Sequence, residues 1–409
     1  MEAAESEQDR GGTVNTGTGR DDNASVVAGA AATSAGVDLD GVGAGTPIQG
    51  SGGPERDRTD VDPKGRPLAI VPGKVPWLEF AVFVAVAVVL AWLVCLPLWL
   101  SGEGMGNALL VQVSGAAMMF TPLIAVVVAM IVQRRRTGQP RASILRYLGM
   151  WPLRPFGRVL GMTALAFFGV FVLVAAAYLL AAAFGWMQVD LLGLSGFKAQ
   201  LAQLPGLGEI PVAVAVIGYL VIMALGSLFN VTVAFGEEVG WRGWLLTSLR
   251  PLGTWPALLI VGVIWGLWHA PLILLGYNFG RPDVTGLAFM VGGCIMLGVL
   301  FGWLRLRTGS VWPAVTAHAA LNGSAGMLLG LFIDGSAQAP DMALASFLGV
   351  SGWIVSAIVI AVLLATGQFR RQPDLGFKRP RVVAGQSDPA GRGAGPEPTG
   401  PVAPDDSAR

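Results

Sequence analysis

The sequence predicts an all-α fold: a polytopic membrane helix bundle of about eight transmembrane helices with both termini cytoplasmic. Two of the observations behind this are compositional. Hydrophobic residues make up 53% of the 409-residue chain and charged residues only 13%, well below the ~25% charge of a soluble domain, and the mean hydropathy is +0.62. The third is positional: Lys and Arg recur in every second connection between long apolar stretches and are sparse in the others.

The elements follow in order. Residues 1–74 are rich in Gly, Ala, Ser, Thr and Asp and almost free of aromatic residues, so they bury too little apolar surface to offset ordering entropy; a disordered cytoplasmic tail is expected. No apolar stretch follows a short basic segment near the N-terminus, so the first span is expected to act as the insertion signal. A helix needs roughly 20 apolar residues to cross the hydrocarbon core. Within residues 75–367 such stretches lie at 77–100, 108–133, 159–187, 211–236, 254–276, 284–304, 310–333 and 343–366. The fourth is expected to continue as helix through Trp241 and Leu246 towards Arg250. Residues 368–409 mix Gly, Pro and Arg loosely, carry no C-terminal lipidation motif, and read as a second disordered cytoplasmic tail.

Loop charge sets the orientation, because Lys and Arg close to the spans are retained in the cytoplasm. Arg134, Arg135, Arg136, Arg141, Arg146, Arg154 and Arg158 lie between the second and third spans. Arg242 and Arg250 follow the fourth, Arg305 and Arg307 the sixth, and Arg370 and Arg371 the eighth. The alternate connections hold only Lys198 and Arg281. A multi-pass protein of the cell membrane is expected, with the lipid bilayer as its partner. A formal net charge of +1 and the absence of a basic stripe exclude a nucleic-acid partner. Cys95 and Cys294 each sit in an apolar run, so neither a disulfide framework nor a cysteine metal site is indicated.

Against this background the polar residues inside the spans stand out, because ionisable groups at membrane depth are costly and mark functional sites. The chain has two histidines, His269 in WGLWHAP and His318 in VTAHAALN, and a third span carries Glu237 and Glu238. At 1.5 Å per residue, His269 lies about 22 Å and His318 about 12 Å along outward-running helices. Glu237 reaches a similar depth if its helix extends to Arg250. Glu238 and Arg242 are four apart and suited to an ion pair on one face, which leaves Glu237 turned elsewhere. Pro271 removes a backbone N–H two residues after His269 and is expected to kink the helix there. His318 and Asn322 share a face and together present two donors suited to a developing oxyanion. Each motif alone also fits a structural role, as an ion pair, a bonded histidine or interhelical glue.

In this order E-E-x-x-x-R, an aromatic-x-x-x-H and H-x-x-x-N, each on its own span, resemble the three motifs of the CAAX prenyl endopeptidase and bacteriocin-processing (CPBP, or ABI) family of intramembrane glutamic proteases, over residues 211–333. The second motif of that family usually begins with Phe, and here Trp265 holds the position. The resemblance implies that Glu237 and His269 activate a water, that His318 and Asn322 stabilise the oxyanion, and that Glu238, Arg242 and Trp265 support them. It implies an endopeptidase whose site opens to the cytoplasm and whose substrate is a membrane-associated peptide or protein. No cofactor is expected. The alternative is zinc on Glu237, His269 and His318, since two imidazoles and a carboxylate suit a catalytic zinc, though this would take the obvious general base away and no H-E-x-x-H motif is present. A proton-coupled transporter, or a catalytically silent membrane scaffold, would use the same polar groups differently.

Overall fold

The computed structural model describes residues 71–137 and 144–372. Most of both predicted tails, and Arg141 of the arginine-rich loop, therefore lie outside the described residues. The rest is helical. The main helices are α1 (Trp77–Leu100), α2 (Ala108–Arg136), α3 (Phe156–Ala183), α4 (Val212–Leu252), α5 (Thr254–Trp268), α6 (Val284–Thr308), α7 (Trp312–Phe332) and α8 (Met342–Ala365). All but α5 are long and apolar enough to cross a membrane, and the protein is a multi-pass integral membrane protein.

The eight helices coincide with the eight apolar stretches of the sequence, with two local differences. The stretch at 254–276 is interrupted at His269, after which Ala270–Ile273 forms one further turn. Pro271 supplies the reason, since it has no N–H to continue the hydrogen-bond ladder. The second difference lies in α4, which runs on to Leu252 but changes to a π-helix over Val239–Leu245.

Local chemistry sets the helix ends. Asp283 caps α6 by accepting from the Thr285 and Gly286 backbone N–H groups, at 2.8 and 3.1 Å, and Gly309 closes it in the left-handed conformation. The helices then pack where side chains are small. A Cβ on Gly298 would lie 3.2 Å from Gly262 Cα, and one on Gly302 would strike Leu258, so α5 and α6 approach through the G-x-x-x-G spacing of α6. In turn α7 packs on α3, α4 and α6.

The beginning of the predicted C-terminal tail is ordered. Phe369 is buried 4.9 Å from the Trp255 ring. Gln372 bonds Arg250 and Thr254 at the connection between α4 and α5. Composition did not reveal this because it rests on long-range partners rather than on the segment's own apolar content.

Candidate active site

Three helices build the site: the buried half of α4, where α-helix gives way to π-helix after Glu238, the end of α5 and the first half of α7. The first supplies Glu237, Glu238 and Arg242, all buried. Glu238 Oε1 accepts from Arg242 Nη1 at 2.7 Å, the i,i+4 pair that the spacing predicts. The same oxygen lies 2.9 Å from His318 Nδ1. A carboxylate oxygen can only accept here, so Nδ1 carries the proton, and Nε2 is the nitrogen left to face a ligand. Arg242, Glu238 and His318 thus form one buried chain across α4 and α7.

Glu237 points elsewhere, as its position about 100° around the helix requires. Its Oε2 accepts from two indoles, Trp265 Nε1 at 2.7 Å and Trp241 Nε1 at 3.2 Å. Among the described residues its other oxygen, Oε1, takes no hydrogen bond.

Trp265 also fixes the second histidine. Its carbonyl lies 2.8 Å from His269 Nδ1, while the His269 backbone N–H turns to Gly266 O at 3.2 Å. The helix break thus leaves a carbonyl for the imidazole to take. Nδ1 must donate to it, again leaving Nε2 free. No hydrogen bond joins Glu237 to His269 directly; Trp265 bonds both, the first through its indole N–H and the second through its carbonyl. The Trp265 ring lies 5.4 Å from that of His318, and the Arg242 guanidinium stacks 4.2 Å from its centroid. One tryptophan therefore contacts Glu237, Arg242, His269 and His318.

Asn322 lies apart from this network. It is exposed, and its amide meets only Met119 Sδ at 4.0 Å. It shares a helical face with His318, but no hydrogen bond joins the two side chains. Its donors are available to a ligand rather than used in the fold.

Residues 217–324 match the family model described as type II CAAX prenyl endopeptidase Rce1-like. This segment is similar to that family. It contains Glu237, Glu238, Arg242, Trp265, His269, His318 and Asn322, and ends two residues after the last of them. The Rce1-like segment is also similar to a CAAX prenyl protease 2 of Methanococcus maripaludis, with 30% identity over 93 residues, 21% of this chain. The chain spans about a third of that relative's length, 34%.

The structure adds residues to the Rce1-like site that sequence patterns did not single out. Trp241 joins Trp265 on Glu237. Trp268 packs edge-on against His269 with ring centroids 4.8 Å apart, and its N–H bonds Thr121 Oγ1 at 3.1 Å. Arg305, expected as an orientation-setting loop charge, is only 1% exposed. Its Nε donates to Arg242 O at 3.1 Å and its Nη2 to Tyr147 O at 3.1 Å, so it braces the backbone of the π-helix. The i,i+4 spacing of Glu237 and Trp241 was a usable signal. For Arg305 none existed, since loop counting treats every cation alike.

Proposed function

We propose that the chain is an intramembrane endopeptidase that hydrolyses a peptide bond of a membrane-associated peptide or protein, with its site reached from the cytoplasm. What supports this best is the clustering of Glu237, His269 and His318 around Trp265, with an unbonded carboxylate oxygen and two unbonded imidazole nitrogens. The Rce1-like segment and the CAAX prenyl protease named among its relatives favour peptide-bond hydrolysis over proton relay.

In this reading Glu237 Oε1 takes a proton from water, which is oriented with the help of His269 Nε2. The resulting hydroxide adds to the substrate carbonyl carbon, and the carbonyl electron pair moves onto oxygen. His318, as the imidazolium with its Nδ1–H on Glu238, donates through Nε2–H to that oxyanion, and Asn322 donates through its amide. As the tetrahedral species collapses, the proton on Glu237 passes to the departing nitrogen and the C–N bond breaks.

The mechanism proposed uses no metal, because Glu237 serves as the base and would give up that role as a ligand. No step is routed through zinc. Cleavage that survives a strong chelator is the expected outcome, and cleavage lost in chelator and restored by zinc would reverse this assignment.

The decisive experiment places the purified full chain in liposomes with a library of membrane-proximal peptides and reads cleavage by mass spectrometry. Glu237→Ala and His269→Ala should each lower kcat by about 10²–10⁴-fold, the usual worth of a general base and its partner. Wild-type cleavage by folded variants would refute the proposal. Glu237-dependent proton flux without cleavage would instead establish a transporter.

A further inference from the structure

We propose that Trp241 and Trp265 are positioning residues for Glu237, saturating Oε2 so that Oε1 alone can take the proton of the attacking water. The inference rests on the reading of Glu237 as general base. It adds an account of why that carboxylate presents one particular oxygen.

The indole group suits this task. It donates a single N–H and accepts nothing, so it can neither relay the proton nor compete for the water. A carboxylate has lone pairs on both oxygens, and without fixed donors it could rotate and offer either. Here the two donors come from different helices and meet on one oxygen, at 2.7 and 3.2 Å. Neither ring has room to turn. Trp241 is fully buried, edge-on to Phe83 with centroids 5.5 Å apart and to Trp268 at 5.7 Å. Trp265 is 2% exposed and carries the Arg242 guanidinium on its face.

Trp265 carries the more specific part of the inference. A phenylalanine at this position would fill similar space without an N–H. In this chain the position contributes the shorter of the two bonds to Glu237. Oε1 then receives the water proton while hydroxide adds to the carbonyl, and returns it to the leaving nitrogen. The indoles keep their own protons throughout.

The test uses the full chain in lipid nanodiscs and a peptide cleaved by the wild type. Trp265→Phe keeps the aromatic ring and removes the donor, and Trp241→Phe does the same on the other side. Trp265→Phe should lower kcat by about ten- to hundredfold, the rate equivalent of a hydrogen bond to a charged group, with KM moved less than about twofold. Trp241→Phe, which loses the longer bond, should cost less. In ¹⁵N-tryptophan NMR spectra of the wild type and Glu237→Gln, the indole N–H signals of Trp241 and Trp265 should move on losing their carboxylate partner.

An unchanged kcat in folded Trp265→Phe would overturn the inference, and so would indole signals that ignore Glu237→Gln. Either result alongside an inactive Glu237→Ala would leave the base assignment standing. A fully active Glu237→Ala would remove both.

Discussion

The two halves of α4 differ in polarity and have opposite environments. Residues Val212–Phe229 are mostly outward-facing: Ile222 is 62% exposed and Phe229 80%. From Gly236 to Leu249 every residue is buried, including Glu237, Glu238 and Arg242. In a membrane, apolar side chains gain little by leaving lipid, so hydrophobicity does not decide which half goes inside. Polar groups do decide, because lipid offers them no hydrogen bonds. Small residues then permit the close approach. A Cβ on Gly236 would lie 2.7 Å from Met119 O, one on Gly240 would strike Pro122, and one on Gly243 would lie 3.0 Å from Leu148 O.

This contrast can be tested by mutating either half and measuring unfolding of the detergent-solubilised protein. The largest effect is expected at Glu238→Leu, which strands the Arg242 guanidinium without its partner. Stability should fall by about 3–5 kcal/mol, as when one member of a buried pair is removed. A loss below about 1 kcal/mol would mean that the buried chain from Arg242 to His318 is not structurally required. Next comes Gly240→Ala, which forces a methyl group against Pro122 and should cost about 1–3 kcal/mol. Were it neutral, the close approach of α2 and α4 would not depend on glycine. Smallest is Phe229→Leu in the exposed half, expected within about 0.5 kcal/mol of wild type. A large loss there would show that this half has a protein partner in place of lipid.

Much of the fold was legible because membrane insertion imposes a length rule. The eight apolar stretches reappear as eight helices, and α4, expected to continue towards Arg250, runs to Leu252. The polar residues of the site were legible for a related reason, since each was costly where it stood. Geometry was less accessible. The Glu238–Arg242 pair depends on local spacing and was readable. The His318–Glu238 bond spans 80 residues of chain and was not. That Trp265 bonds both Glu237 and His269 likewise took the structure to show.

Arg305 marks the limit most clearly. By position it belonged with the arginines that set orientation, yet it is buried against the carbonyls of Arg242 and Tyr147. Composition, span length and charge placement by themselves determined that this chain is a membrane bundle with acids and imidazoles held at depth, because transfer into lipid is a property of each short segment. Which carboxylate oxygen faces which donor was decided only by the tertiary structure. That choice depends on helices far apart in the chain meeting at hydrogen-bond distance, and no local pattern encodes it.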